Sequence, residues 1–236
     1  MKKAKPTKAR RDRPAPVEIA WLTPDGYKLS DRLVGIDRSR RGGDVITALA
    51  YEIMDRHVRL GRRGLAVCGA ARGAGVTFVA ANLAVALAQL GVSTLLVDTN
   101  LDAPGLEKLI TPPEPSLGLS DLLVDPAVSI GAAVRPHVLP GLSILYAGGV
   151  RDTEADGLSG DRFREIVRRC LRDHELTIFD TAPANRSTGA RLVGGAAGYA
   201  LLVARSGLTF ADDMSTLTAQ LAQDEVSIVG SVLNAA

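Results

Sequence analysis

The feature that most constrains the fold is a short apolar strand that runs into a glycine-rich turn and then into a helix of small residues. Leu65–Cys68 is apolar throughout, the turn Gly69–Thr77 is rich in glycine, and Thr77–Leu90 has helical spacing before Gly91. Glycines in such a turn let successive backbone N–H groups point inward, and the N-terminus of the following helix favours an anion. The segment therefore predicts a cradle for phosphate.

Apolar strands and helical segments alternate along the rest of the chain. Strands that are apolar on both faces and separated by helices form parallel sheets, so the pattern predicts an α/β fold with a mostly parallel sheet and helices on both faces. The expected further strands are Thr94–Val97, Leu142–Tyr146, Leu176–Phe179, Tyr199–Val203 and Val226–Leu233, and the expected further helices are Val45–Val58, Leu119–Val124, Arg162–Arg172 and Thr209–Gln223.

Residues 1–42 are expected to form a basic, proline-containing N-terminal tail or linker, and residues 43–236 the folded domain. Seven of the first 13 residues are Lys or Arg. The tail is interpreted either as a solvated leader or as a segment that is attracted to anionic lipid, or to an acidic partner, through residues 2–13. Basic residues are not interleaved with aromatic ones, so no nucleic-acid partner is expected.

Cysteine content and hydropathy indicate the compartment. The two cysteines, Cys68 and Cys170, lie far apart and in no metal-binding or redox spacing, which is typical of a protein of the reducing cytoplasm. The sequence contains no apolar run of the roughly 18 residues that a membrane-spanning helix needs. We therefore expect a cytoplasmic protein.

The glycine-rich turn matches the P-loop pattern only in part. That pattern asks for Gly-x4-Gly-Lys-Ser/Thr, and Gly75 and Thr77 fit its last glycine and its Mg²⁺-binding hydroxyl. Val76 stands at the lysine position, and Ala70 stands at the first glycine position, one residue after Gly69. Taken alone, a tight turn between a strand and a helix explains this sequence nearly as well.

Two acidic residues beyond the turn favour a phosphate site. Asp98 and Asp180 each follow a buried strand, and an acidic residue at the carboxyl end of a parallel strand points into the crevice where such sheets bind ligands. Beside a P-loop-like turn, this pair would hold Mg²⁺ and orient an attacking group. The N-cap of a helix is the alternative interpretation of either residue taken alone.

Together these motifs resemble the bacterial tyrosine kinase (BY-kinase) family, a branch of the P-loop ATPases with deviant Walker motifs that serves exopolysaccharide and capsule systems. The likeness runs from about Asp44 to Asn234: Gly69–Thr77 looks like Walker A, Leu95–Pro104 like Walker A′, and Leu176–Pro183 like Walker B. The resemblance implies a P-loop NTPase fold and a site for ATP or ADP with Mg²⁺. The implied nucleotide-binding residues are Gly69, Arg72, Gly73, Ala74, Gly75, Val76, Thr77, Phe78 and Asn234; the implied Mg²⁺ ligands are Thr77, Asp98 and Asp180, and the two aspartates are also the catalytic residues if the site is active.

Four departures from the family pattern bear on activity. Family members have Lys at Val76, Asp at Asn100 and usually Arg at Asp102, and the family's C-terminal tyrosine cluster is missing. Beyond Lys28 the sequence has one lysine, Lys108, which lies after the Walker A′ segment and not in the loop. Since charge stabilisation by the loop lysine supplies much of the rate in P-loop enzymes, we expect nucleotide binding to be weak or absent and tyrosine kinase activity to be lost.

The leading interpretation is a cytoplasmic regulatory or scaffolding subunit of exopolysaccharide biosynthesis and export. The family implies a membrane polysaccharide co-polymerase as its partner, which would act in trans and hold this chain at the inner membrane. An active ATP-dependent tyrosine autokinase or ATPase of the same pathway is the first alternative, and a positioning ATPase of the chromosome-partitioning or septum-site type is the second. The ring interface of the family has no clear counterpart at Leu49–Glu52, so the family's ring oligomer is not expected.

Overall fold

A seven-stranded sheet forms the centre of the domain in a computed structural model that describes residues 26–149 and 156–235. The strand order is β5-β6-β3-β7-β2-β8-β9; neighbouring strands are parallel except for the antiparallel β5–β6 pair at one edge. These strands are β2 (Gly64–Gly69), β3 (Thr94–Asp98), β5 (Arg135–Leu139), β6 (Leu142–Leu145), β7 (Leu176–Asp180), β8 (Tyr199–Arg205) and β9 (Ser227–Asn234). A separate antiparallel pair joins β1 (Lys28–Leu29) to β4 (Ile110–Thr111).

Helices cover both faces of this sheet. One apolar cluster contains side chains of α1 and α2, and the other contains side chains of α3, α6, α7 and α8. Successive residues of β2 alternate between them, because Leu65 and Val67 face the first cluster while Ala66 and Cys68 face the second. The helices are α1 (Gly43–Arg56), α2 (Val76–Gln89), α3 (Leu119–Val124), α4 (Ile130–Ala133), α5 (Asp156–Ser159), α6 (Asp161–Asp173), α7 (Gly189–Ala197) and α8 (Ala211–Gln223).

The expected α/β fold with a mostly parallel sheet is confirmed. The short elements β1, β4, α4 and α5, the edge strand β5 and the helix α7 were not among the expected ones. Strand β5 carries Arg135, Pro136 and His137, and its polar composition hid it; proline is tolerated there because β5 is an edge strand. Helix α7 consists mainly of small residues, so its sequence does not distinguish it from the apolar strand β8 that follows. Gly198, at φ 79°, ends the helix between them.

The segment before residue 43 packs on the domain. Leu33 is fully buried in the first apolar cluster, and the Gly35 N–H donates to Asn82 Oδ1 at 2.8 Å. Asn82 Nδ2 donates to the carbonyls of Phe78 at 2.8 Å and Arg32 at 3.2 Å. The packed domain thus extends upstream of the boundary drawn at residue 43. The basic residues 2–13 lie outside the described residues.

The buried side-chain amide of Asn82, in the middle of an apolar helix, holds the segment around Gly35 on the domain. Asn82→Ala leaves the buried Gly35 N–H without a partner, and we expect the free energy of unfolding to fall by about 2 kcal/mol. Gln89→Ala is a matched control, because Gln89 donates to the Ile36 carbonyl from an exposed position on the same helix. Urea unfolding measures both variants, and an equal loss for the two would contradict the assignment.

Candidate nucleotide site

Two buried carboxylates lie side by side at the carboxyl edge of the sheet. Asp98 ends β3 and Asp180 ends β7, and the two residues are paired in register on adjacent parallel strands. Gly69 ends β2, the strand on the other side of β7. Both aspartates are 0% exposed. The topology therefore brings together the three motif ends that the sequence places far apart.

Asp98 is held by backbone amides of the turn that follows it. Its Oδ1 accepts from the Asn100 N–H at 3.0 Å, and its Oδ2 accepts from the N–H groups of Gly105 and Leu106, both at 3.1 Å. Burial raises the pKa of Asp98 to about 6, and these three hydrogen bonds oppose the rise. Asp98 thus organises the loop between residues 98 and 106 as well as lying at the site.

Asp180 has the opposite environment. Neither of its carboxylate oxygens has a partner at hydrogen-bonding geometry among the described residues. Burial and the neighbouring charge of Asp98 hold the pKa of Asp180 well above its usual value, and the nearby Thr77 hydroxyl counteracts that rise. A buried carboxylate without a partner is costly, so these oxygens are available to a cation.

The glycine-rich turn adopts the backbone that a phosphate cradle requires. Gly73 and Gly75 lie in the left-handed region at φ 86° and 96°, and α2 begins immediately afterwards at Val76. A Cβ at Gly75 would collide with the side-chain amide of Asn234, which donates to the Ala74 carbonyl at 3.1 Å. Asn234 therefore packs directly on the turn.

Val76, which falls at the lysine position of the P-loop pattern, is nearly buried. Its side chain is 8% exposed and belongs to the first apolar cluster. A Cβ added at Gly69 would lie 2.6 Å from Val76 Cγ2, so the glycine at the end of β2 makes room for the valine. The side chain at this position contributes packing and no charge.

A cavity of about 260 Å³ opens in front of the turn. Most of the predicted nucleotide-binding residues line this cavity. Gly69 and Asn234 do not line it, and neither do the buried carboxylates of Asp98 and Asp180. Three cationic residues that are far apart in the sequence line the cavity: Arg32, Arg72 and Lys108. Arg32 and Lys108 were not predicted as site residues. The lining residues are Arg32, Ala71, Arg72, Gly73, Ala74, Gly75, Val76, Thr77, Phe78, Asn100, Gly105, Lys108, Leu109, Thr181 and Pro183.

A further contact missed from the sequence comes from the end of β8. Arg205 Nη1 donates to the Gly73 carbonyl at 3.1 Å, which ties the turn to that strand. The sequence signal was Arg205 itself, an arginine closing an otherwise apolar strand. By contrast, Arg72 makes no hydrogen bond or ion pair within the described ranges and is exposed at the cavity.

The donor set fits Mg²⁺ with a phosphate ligand. The oxygens of Asp180 are buried and unpartnered, and the Thr77 hydroxyl lies next to them. Among the described residues there is no cluster of three His, Cys, Asp or Glu side chains that would form an all-protein metal cage. Mg²⁺ suits such a sparse set, because it keeps several waters and binds through one or two carboxylates plus substrate phosphates.

Comparison with known proteins identifies relatives along most of the chain. Tyrosine-protein kinase Etk of Escherichia coli K12 is 29% identical over 188 residues, which cover 80% of this chain and 25% of that protein. Tyrosine-protein kinase YwqD of Bacillus subtilis 168 is 27% identical over 188 residues, covering 80% of this chain and 77% of that protein. The chain thus spans about a quarter of the length of Etk. No protein-family model matches it.

The solved kinase domain of Escherichia coli Etk superposes with a TM-score of 0.79 and 27% identity, covering 86% of this chain and 79% of that one. The predicted resemblance to the bacterial tyrosine kinase family is confirmed. The septum-site protein MinD of Pyrococcus horikoshii, solved with Mg-ADP, gives a TM-score of 0.61 at 22% identity, which shows a shared fold. No described helix has the length and apolarity that crossing a bilayer requires.

The contrast between the two aspartates predicts opposite effects of matched substitutions. Asp180→Asn removes an unpartnered buried charge, so at pH 7.5 we expect the free energy of unfolding to rise by about 1 kcal/mol, or Tm by about 2–4 °C. Asp98→Asn replaces an acceptor of three amides by a group with one acceptor oxygen, and we expect a loss of about 2 kcal/mol. Thermal unfolding measures both, and two changes of the same sign would contradict the contrast.

The raised pKa values also fix the direction of the pH dependence. Between the unfolded aspartate pKa of about 4 and the folded value of about 6 for Asp98, the folded domain binds protons that the unfolded chain releases. The contribution of Asp98 to stability is therefore present at low pH and falls as pH rises through this window. The contribution of Asp180, whose pKa is also raised, changes in the same direction. Chemical unfolding of the parent and Asp180→Asn from pH 5 to pH 8 tests this; we expect a flatter profile for the variant.

Proposed function

We propose that this domain is a regulatory or scaffolding subunit of exopolysaccharide biosynthesis and export that binds Mg-nucleotide weakly and does not transfer phosphate to tyrosine. The observation that carries the proposal is Val76. A nearly buried valine stands where the family's lysine would meet the β- and γ-phosphates, and it packs against Gly69. In P-loop enzymes that charge stabilises the transition state more than the ground state, so its loss affects rate more than binding.

The environment of Asn100 supports the same proposal. Its side-chain amide donates to the Ala103 carbonyl at 2.9 Å, and its backbone N–H donates to Asp98. An amide cannot act as a carboxylate base or as a charged metal ligand. The family's second acidic group is thus replaced by a residue that stabilises the turn. Asp180 and Thr77 remain as oxygen ligands for Mg²⁺, which supports weak binding of Mg-nucleotide.

A working ATPase or autokinase is the second candidate, and the unpartnered oxygens of Asp180 favour it. A phosphate-transfer assay separates the two. We expect the parent chain to transfer no more γ-phosphate from labelled Mg-ATP to tyrosine than its Asp180→Ala variant does. Val76→Lys should raise ATP turnover about tenfold or more, because it restores the charge on the phosphates. Robust phosphotyrosine formation by the parent would refute the regulatory proposal.

The proposed partner is a membrane polysaccharide co-polymerase that holds the domain at the inner membrane. We expect the full chain, tagged and expressed in its native host, to co-purify from solubilised membranes with that protein, identified by mass spectrometry. A tagged unrelated domain of similar size serves as the control. Equal recovery of the co-polymerase with both proteins would contradict the partnership, and so would unchanged surface polysaccharide after deletion of the gene.

A further inference from the structure

The cavity in front of the glycine-rich turn is lined by cations alone among its charged residues. Arg32, Arg72 and Lys108 lie on its wall, and no carboxylate lines it, because Asp98 and Asp180 are buried beneath. An enclosed surface of one charge sign concentrates ions of the opposite sign. This cavity is therefore suited to an anion although the turn itself lacks a lysine.

Lys108 is placed at the cavity by the hydrogen bonds of Asp98. The Gly105 and Leu106 N–H groups donate to Asp98 Oδ2, and a single helical turn, Leu106–Lys108, follows with the Lys108 N–H donating to the Gly105 carbonyl at 3.2 Å. Leu106 is fully buried. The buried carboxylate therefore fixes the path of the chain that carries Lys108.

The same turn lies directly against the phosphate loop. A Cβ at Gly105 would sit 3.1 Å from Thr77 Oγ1, so the glycine permits close approach between the two segments. Thr77 is the predicted Mg²⁺-binding hydroxyl, and Lys108 lines the cavity three residues beyond the contact. A lysine carries a mobile ammonium with three donors on a long stem, which suits contact with a phosphate chain.

The other two cations of the cavity, Arg32 and Arg72, are less well suited to contact a phosphate chain. The Arg32 guanidinium lies 5.7 Å from the centre of the Phe78 ring, which engages it in a cation–π contact. Arg72 is exposed within the loop, and no contact orients it. Lys108 makes no ion pair or side-chain hydrogen bond within the described part of the chain, and its backbone is fixed.

We infer that Lys108 is the cation that contacts the phosphate chain of the bound nucleotide, supplied from the turn after β3 in place of the loop lysine that Val76 replaces. The inference rests on the proposed function for the presence of that ligand. It assigns Asp98 a positioning role, since the carboxylate orients the turn that presents Lys108. In this arrangement Lys108 approaches the phosphates from the turn after β3, whereas the family lysine belongs to the glycine-rich loop.

Calorimetric titration of the full chain with Mg-ATP and with Mg-tripolyphosphate tests the inference. Lys108→Gln should weaken both affinities about tenfold or more, since a charge-assisted contact is lost. Lys28→Gln is the matched control: it removes the same charge from an exposed strand residue that does not line the cavity, and its affinities should stay within about twofold of the parent. Lys108→Arg should retain most of the binding.

A double substitution separates a direct contact between Lys108 and phosphate from a merely structural role of Lys108. In the Val76→Lys background the effect of Lys108→Gln should shrink, because a second cation then meets the phosphates, whereas a merely structural role would leave it unchanged. Thermal unfolding confirms that Lys108→Gln folds.

Equal affinities of Lys108→Gln and Lys28→Gln, or no binding by the parent chain, overturn the inference. Phosphate transfer is measured on the same samples. Transfer to tyrosine by the parent refutes the proposed function and leaves a Lys108 effect on binding intact. If Lys108→Gln binds as tightly as the parent chain and the parent transfers no phosphate, only the Lys108 assignment is refuted.

Discussion

The placement of two carboxylates side by side at the buried edge of a parallel sheet is the constraint on which the rest of the site depends. Asp98 and Asp180 are paired in register on β3 and β7, and both are removed from water. Two buried charges of one sign destabilise each other unless protons, hydrogen bonds or a cation compensate them. The chain compensates them unequally, with three amides for Asp98 and none within the described structure for Asp180. This asymmetry shapes the loop on one side and leaves an unpartnered carboxylate on the other.

The central architecture was predictable because its signals are local. An apolar strand, a glycine turn and a helix of small residues are adjacent in sequence, and parallel strands bring their carboxyl ends to one edge. Asp98 and Asp180 could be placed together by that rule alone. The edge strand β5 and the helix α7 could not, since the first is polar and the second consists of small residues that favour no single structure.

What escaped prediction depends on contacts between segments that are distant along the chain. From the sequence alone, Lys108 lies outside the phosphate loop. Its place at the cavity depends on how Asp98 folds the turn between residues 98 and 106, which the sequence does not reveal. The segment around Leu33 and Gly35 appeared to be a tail, because its partner Asn82 lies in a helix much further along. In that case a signal was present: a polar residue in the buried centre of an apolar helix requires hydrogen-bond partners from elsewhere.

Val76 and Asp180 have opposite effects on the stability of the site. The valine adds apolar packing over Gly69 and carries no charge. Asp180 adds no packing and carries an unpartnered buried charge, which lowers stability until a cation binds. A binding event that relieves such a charge stabilises the domain through linkage, because the ligand binds the folded state and not the unfolded one.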